Sequence, residues 1–214
     1  GLPCPTLPYL IEKTSGFKLT QTRAIVRHLA REHCPVLMGA STDESALADS
    51  ATDFLFDWWD AFFKTTYADF NGIHKDADMS RHKEAESQCL VGGKRFEEMK
   101  GAYLNTKLPH YLNQIVGFMQ GAYGVKADTK TPWITRNNLT YADFFLFELL
   151  DQNLALDPKC LDDDQYIILR EHRSSFMALD EIQDYRSTRF KEEPIHNRYS
   201  HFHRGWLSTL SGNK

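Results

Sequence analysis

Helical periodicity dominates this chain from residue 43 onward, and this feature most limits the folds that it can adopt. Apolar residues there recur at the spacing of one helix face, and no run shows the alternation typical of a strand. Runs of strand type occur earlier, at Leu7–Glu12 and Phe17–Thr20, with the turn residues Lys13–Gly16 between them. A helical pattern over Gln21–His33 follows at once. The sequence therefore predicts an α+β protein that is mostly helical, with a β-hairpin and one helix ahead of an all-helical part.

The change of pattern predicts a domain boundary close to Pro35. We expect a small α/β unit over residues 1–34, a linker over residues 35–41 and a helical domain over residues 42–214. Within the helical domain, Thr140 and Asp143 have the spacing of a capping box ahead of an apolar run. This spacing predicts the start of a buried helix and is a structural feature, with no chemistry of its own.

Composition and charge exclude several classes of function. The 214 residues include 25 Lys and Arg against 29 Asp and Glu, and a net charge of −4 leaves no basic surface for nucleic acid. No apolar stretch reaches the ~18–20 residues of a membrane span, and the first residues lack the pattern of a signal peptide. The four cysteines contain no CxxC pair, which excludes a zinc ribbon and a dithiol redox site. We expect reduced thiols in a cytoplasmic protein.

Two features near the start of the chain have a structural and a functional interpretation. Leu7-Pro8 stands at the beginning of a strand, where most X-Pro bonds are ordinary trans bonds at a sheet edge. Gln21 and Thr22 stand where the second strand gives way to the helix. Thr22 is a typical helix N-cap, but an amide and a hydroxyl beside free helix N–H groups also form a carboxylate site. The residues by themselves favour the structural interpretation in both cases.

A long aromatic segment over residues 46–70 is the most distinctive of the helical patterns. Residues 53–67 include seven aromatic side chains, more than one buried helix face normally uses. We therefore expect core packing for most of them and contact with a second subunit for some. Asp57 lies among these rings, where burial of an unpaired carboxylate would be costly.

The order and spacing of these pieces resemble those of cytosolic glutathione S-transferases, and the mu class in particular. The similarity extends over most of the chain, in the same order as in that family. The matching segments are Leu7-Pro-Tyr-Leu-Ile-Glu12, Lys18-Leu-Thr-Gln-Thr-Arg23, Phe96-Glu-Glu-Met-Lys100 before Leu108-Pro109, Pro132-Trp133, Leu139-Thr-Tyr-Ala-Asp143 and Asp157-Pro-Lys-Cys-Leu-Asp162. The resemblance implies that residues 1–34 are the later part of a thioredoxin-like glutathione-binding domain, followed by the all-helical C-terminal domain of that family.

The same resemblance implies a set of site residues. The backbone of Leu7, before a cis Pro8, would pair with the cysteinyl part of glutathione, and Gln21 and Thr22 would hold its γ-glutamyl carboxylate. Asp57 would reach the glutathione amine of the partner subunit in a homodimer. Tyr67 would supply a hydroxyl to the pocket for the electrophile, although a purely packing role is the alternative. Glutathione would be a substrate, a hydrophobic electrophile would be the second, and no metal, nucleic acid or membrane is implied.

The sequence departs from the mu pattern in two places. The tyrosine that activates the glutathione thiol in that family belongs to a βαβ unit ahead of the cis-proline strand, so we expect it upstream of this chain. Residues 68–94 are longer than the family pattern, which predicts an insertion, most simply a solvated lid or a dimer embellishment. His74, His82 and Cys89 in this segment are weak metal-ligand candidates because their spacing is loose.

The function predicted from the resemblance is transfer of the glutathione thiolate to hydrophobic electrophiles. Two alternatives remain open at this stage: a non-catalytic interaction or structural module with the same fold, and a glutathione-dependent isomerase. No GxSxG, Walker, HExxH or GxGxxG pattern occurs, so hydrolase, nucleotide-binding and dehydrogenase interpretations have no support.

Overall fold

The computed structural model describes residues 2, 4, 6–68, 94–121 and 131–188. These residues form one short hairpin and a set of packed helices, which confirms the predicted mostly helical α+β class. None of the helices in these ranges has the length and apolar character needed to cross a membrane. The predicted insertion over residues 68–94 falls almost entirely outside the described residues.

The hairpin consists of strands β1, Tyr9–Ile11, and β2, Lys18–Thr20. The strands are antiparallel, with Tyr9 opposite Thr20 and Ile11 opposite Lys18. Gly16 in the connection has φ 72, a conformation that side chains with a Cβ rarely adopt. Helix α1 begins two residues after β2, so the strand directs the chain straight into the helix N-terminus.

The helices follow the predicted order along the chain. The segment predicted as a linker contains a 3₁₀ turn, Pro35–Met38, and α2 begins at Thr42, where the helical domain was predicted to start. Ser41 caps it, because its Oγ accepts a hydrogen bond of 3.1 Å from the Glu44 N–H. The full set is α1 Thr22–His33, α2 Thr42–Thr66, α3 Lys94–Ala102, a π-helical turn Tyr103–Lys107, α4 Leu108–Met119, α5 Tyr141–Leu156, a 3₁₀ turn Asp164–Tyr166, α6 Ile167–Met177 and α7 Asp180–Thr188.

The core lies between α2 and α5, with the π-helical turn and α4 beside them. Leu55, Trp58 and Phe62 recur on the inner face of α2 at helical spacing and are almost fully buried. The Trp58 indole donates to the Tyr103 hydroxyl at 2.7 Å, and that hydroxyl donates to Asn153 at 2.7 Å. This buried chain satisfies three polar groups at once and fixes the relative positions of α2, the π-helical turn and α5.

The capping box predicted at the start of α5 is present. The Asp143 carboxylate accepts from the Thr140 N–H at 2.7 Å and from the Thr140 hydroxyl at 3.0 Å. It also accepts from the Ile134 N–H at 2.8 Å and contacts His172 Nε2 at 3.1 Å, and all these polar groups are buried. Asp143 therefore ties the loop before α5 to α6 in addition to capping its own helix.

Candidate functional site

The Leu7–Pro8 peptide bond is cis, which confirms that prediction. Leu7 precedes β1, and its side chain is 82% exposed. The cis bond turns the chain immediately before the strand, so the Leu7 backbone lies at the open end of the hairpin and is not part of the β1–β2 ladder. Its main-chain groups are therefore placed where an extended peptide could pair with them.

The N-terminus of α1 is built differently from an ordinary capped helix. Gln21 occupies the N-cap position with φ 75 and ψ 114, and Thr22 is the first helical residue. The N-cap side chain forms no capping hydrogen bond, and the first turn contains no acidic residue. Thr22 is thus not the N-cap that the structural interpretation required. The positive end of the helix dipole stands beside an exposed amide and a hydroxyl, an arrangement suited to a carboxylate.

A group of ion pairs holds α1 in this position. Arg23 pairs with Asp53 of α2 at 2.5 Å, and Arg27 pairs with Asp49 at 2.6 Å. The Arg27 guanidinium also donates to the Tyr141 hydroxyl of α5 at 3.1 Å, and that hydroxyl donates to Asp49. Burial alone would lower the pKa of Arg27, but Tyr141 and Asp49 outweigh it and raise that pKa.

Sequence analysis missed this clamp, although a signal for it exists. Arg23 and Arg27 are four residues apart on α1, and Asp49 and Asp53 are four residues apart on α2. Residues four apart lie on one face of a helix, so α1 carries a positive face and α2 a negative face that complement each other. The contacts of Tyr141 with Arg27 and Asp49 could not be predicted in this way, because Tyr141 is distant from both residues in the sequence.

Asp57 lies on the exposed face of α2, so the cost of burying its carboxylate does not arise within one chain. In the described part of the chain it forms no ion pair, whereas Asp60 next along this surface pairs with Lys64. The Tyr111 hydroxyl donates to the backbone oxygen of Asp57 at 3.3 Å and not to its carboxylate. Within the described ranges, the exposed Asp57 carboxylate is thus available to a cation.

The aromatic side chains of α2 are mostly covered by the chain itself, more fully than their number suggested. The Phe54 ring lies 5.7 Å from that of Tyr111, and the Phe56 ring lies 5.0 Å from that of Phe145. Of the seven aromatic residues within residues 53–67, Phe63 is the most exposed, at 38%, and the other six are buried or half-buried. Their surplus therefore gives little independent support for a second subunit.

Tyr67 ends α2 and is 5% exposed. Its ring stacks on that of Phe63 with centroids 4.1 Å apart, so packing accounts for part of its environment. Its role at the electrophile pocket stays a prediction. At a rise of 1.5 Å per residue, Tyr67 and Asp57 are separated by about 15 Å along the helix, too far to serve one subsite of the same chain.

The residues that the structure describes form no metal-binding cluster, and the Cys160 thiol among them is unreactive. Over those ranges, no three His, Cys, Asp or Glu side chains come together in a way that could hold a metal ion. The candidates His74, His82 and Cys89 lie outside these ranges. Cys160 is half-buried, and burial together with the Asp157 carboxylate raises the pKa of its thiol to about 12, so it is no nucleophile at neutral pH.

Comparison with known proteins agrees with this architecture. A family model described as the C-terminal domain of glutathione S-transferase matches residues 77–189. Glutathione S-transferase Mu 2 of Mus musculus is 31% identical over 196 residues, which cover 91% of this chain and 71% of that protein. Glutathione S-transferase B of Cavia porcellus is 30% identical over 201 residues, covering 94% of this chain and 74% of that protein.

A solved structure with the same fold is the Pi-class glutathione S-transferase of Onchocerca volvulus. It matches with a TM-score of 0.64 and 21% identity, covering 86% of this chain and 72% of that one. The similarity in sequence over nine-tenths of the chain, the family model and the shared fold lead to one conclusion. This chain belongs to the glutathione S-transferase family.

Proposed function

We propose that this protein binds glutathione at the N-terminus of α1 and that the parent activity is transfer of glutathione to hydrophobic electrophiles. In this reaction the glutathione sulfur forms a bond to an electrophilic carbon. The leaving group departs with its electron pair, and the thiol proton goes to solvent. The observation that carries the proposal is the uncapped N-terminus of α1 with Gln21 at positive φ.

Three parts of the chain would share the binding of glutathione. The main-chain groups of Leu7, exposed before the cis Pro8, would pair with the cysteinyl part of the peptide. Gln21 and Thr22 would donate to the γ-glutamyl carboxylate, where the helix dipole favours negative charge. In this proposal residues 1–34 form the glutathione-binding unit, residues 35–41 the linker and residues 42–214 the helical domain, with Tyr67 at the electrophile.

The cradle is tested by retention on immobilised glutathione. Gln21→Ala removes one hydrogen bond to a charged group, so we expect binding to weaken by about 1–3 kcal/mol. Gln114→Ala is the matched control, because Gln114 is an exposed glutamine on α4, far along the chain from the cradle. Equal retention of both variants and of the unmodified chain would remove Gln21 from the site.

Activation of the thiol is the step that this chain supports least. A thiol with an ordinary pKa of about 8.5 needs a nearby donor or positive field to ionise at neutral pH. The family's activating tyrosine precedes the cis-proline strand, and residues 1–8 contain no tyrosine. We therefore expect the 214-residue chain to bind glutathione and to conjugate a chloronitroaromatic electrophile only slowly. Fast conjugation by this chain would show that another group activates the thiol. Binding without any conjugation would fit the non-catalytic alternative.

A homodimer would complete each site in this proposal. Asp57 is an exposed carboxylate without an ion pair in the described residues, and in a symmetric dimer each copy would present it to the other copy's glutathione amine. Asp57→Asn is expected to weaken glutathione binding, while Asp60→Asn, which removes a carboxylate already paired with Lys64, leaves it unchanged. Sedimentation at micromolar concentration measures the assembly. A strictly monomeric chain that binds glutathione equally in both variants would contradict the arrangement.

The compartment proposed for the protein is the cytoplasm. Cys4, Cys34 and Cys160 carry free thiols. Free thiols are the usual state of cysteine in a reducing compartment.

A further inference from the structure

The clamp that holds α1 has one member that is almost completely buried. Its ion-paired side chains are half-buried or exposed, and these are Arg23 and Arg27 of α1 with Asp49 and Asp53 of α2. Ion pairs that reach solvent hold two helices only weakly, because water screens the charges and ordering the long side chains costs entropy. Tyr141, in contrast, is 1% exposed. It is therefore the part of the clamp whose contacts are protected from water.

The Tyr141 hydroxyl joins three helices. It accepts a hydrogen bond of 3.1 Å from Arg27 Nε of α1 and donates to the Asp49 carboxylate of α2. The Arg27 guanidinium also lies over the Tyr141 ring, with Cζ 5.6 Å from the ring centroid. Burial, the main cause, and the hydrogen bond with Asp49 raise the pKa of Tyr141, so the hydroxyl keeps the proton that it donates. Hydrogen bonds to charged partners are roughly twice as strong as neutral ones.

The position of Tyr141 is itself fixed from the opposite side. Tyr141 is the first residue of α5 and lies between the two capping-box residues, Thr140 and Asp143. The Asp143 carboxylate also contacts His172 Nε2 of α6 at 3.1 Å, and these groups are buried. Tyr141 therefore transfers a position that is set by α5 and α6 to Arg27 of α1.

The rotation of α1 about its axis decides where its first turn points. Arg27 follows Gln21 by six residues, which is about 9 Å along the helix at 1.5 Å per residue. A helix turns as one body, so a rotation at Arg27 moves the first turn as well. A rotation of about 15° would shift a side-chain atom about 5 Å from the axis by roughly 1 Å. Such a shift takes a donor out of hydrogen-bond distance of a fixed carboxylate.

We propose that Tyr141 is a positioning residue for glutathione binding. Through Arg27, its hydroxyl sets the rotation of α1 and so orients the Gln21 amide and the N–H groups of the first turn toward the γ-glutamyl carboxylate. Tyr141 touches no part of the ligand. The inference rests on the proposed function, because it concerns the same cradle, and it assigns the selectivity for this carboxylate to a residue of the helical domain.

Two ligands test the proposal on the 214-residue chain by calorimetry, well below its unfolding temperature. They are glutathione and an analogue whose γ-glutamyl α-carboxylate is replaced by a carboxamide, and the ratio of their affinities measures recognition of the carboxylate. Tyr141→Phe should lower this ratio about 3–10-fold, the range in which residues remote from a ligand affect its binding. Tyr103→Phe is the matched control, because it also removes a buried hydroxyl with two polar partners. It should lower the stability and leave the ratio unchanged.

A merely structural role of Tyr141 predicts the result of the control. Tyr141→Phe would then lower the melting temperature with the same affinity ratio as the unmodified chain, and this outcome would overturn the proposal. If the unmodified chain prefers glutathione and Tyr141→Phe keeps the preference, the cradle stands and the positioning role alone fails. Equal affinities of the unmodified chain for both ligands would refute the cradle, and the positioning role with it.

A double-mutant cycle tests whether Tyr141 acts through Arg27. Arg27→Ala should lower the affinity ratio at least as far as Tyr141→Phe does. Adding Tyr141→Phe to Arg27→Ala should lower it no further, because the hydroxyl then has no contact with α1 through which to act. Losses that multiply in the double variant would show that Tyr141 acts independently of Arg27, contrary to the proposal.

Discussion

Replacing Gln21 by glycine separates the stability of the α1 N-terminus from its function. Gln21 has φ 75 and ψ 114, its side chain is exposed, and it makes no capping hydrogen bond. A non-glycine residue held in such a region costs about 1–3 kcal/mol. Glycine relieves this cost, but its greater freedom in the unfolded chain lowers the stability of the fold by about 0.4–1 kcal/mol. The net expectation is a chain more stable by roughly 1 kcal/mol that binds glutathione more weakly.

Two measurements on the same samples check this expectation. Urea unfolding should show a higher midpoint with an unchanged slope, and the melting temperature should rise by about 2–4 °C for a chain of this length. Retention on immobilised glutathione should fall to the level of Gln21→Ala, because both variants lack the amide.

Arg136 provides a matched control for the backbone effect. It also has positive φ, at 66, and its N–H donates to the Trp133 oxygen at 2.8 Å in the loop before α5. Arg136→Gly should therefore stabilise the chain to a similar degree and leave glutathione retention unchanged. If Gln21→Gly destabilises the chain while Arg136→Gly stabilises it, Gln21 is not strained and the argument fails. If Gln21→Gly retains glutathione fully, the amide is not part of the cradle.

Three further predictions concern polar groups in the helical part. Burial would raise the pKa of Glu44, but hydrogen bonds from Ala40, Thr135 and Asn138 outweigh it and lower that pKa. The hydrogen bonds to the Glu44 carboxylate therefore stabilise the fold fully above pH 4.5, the pKa of the group in the unfolded chain, and this stabilisation is lost as the pH falls further. In urea unfolding, the loss of stability caused by Glu44→Gln should accordingly be smaller below that pH than at neutral pH. Tyr103→Phe should cost about 2–4 kcal/mol in urea unfolding, because it leaves two buried partners unpaired. Asp143→Asn should cost a similar amount, about 2–4 kcal/mol, with a large fall in melting temperature, and a loss below 1 kcal/mol would contradict the network described for it.

The parts of the fold that follow local rules were predictable from the sequence. The hairpin, the helix after it and the capping box of Thr140 and Asp143 each depend on residues within a few positions of one another. The cis bond at Pro8 was predictable from the resemblance alone, because the residues by themselves favoured trans. The start of α2 at Thr42 coincides with the predicted start of the helical domain, and Ser41 and Glu44 carry the local signal of an N-cap there.

The parts that follow tertiary packing could not be predicted. Glu44 looks like an ordinary first-turn acid, yet it accepts from Thr135 and Asn138, which are distant in the sequence. The aromatic residues of α2 suggested a partner, because their number could be counted but their neighbours could not. Tyr111 and Phe145 come from other helices and cover rings that periodicity left unassigned.

Helix α1 positions the candidate carboxylate site because its side chains anchor it to the helical domain. Its first turn carries the exposed Gln21 and the half-buried Thr22, and further along Arg23 and Arg27 pair with α2 while Arg27 also contacts Tyr141 of α5. A helix held by ion pairs along one side is fixed in rotation about its own axis, so the dipole at its N-terminus has a defined direction. The clamp therefore positions the N–H groups at the start of α1, as a hydrogen-bonded N-cap does elsewhere, while the Gln21 side chain leaves them uncapped. Side chains cap the N-termini of α2 and α5, so the N-terminus of α1 is better suited than either of these to bind a carboxylate.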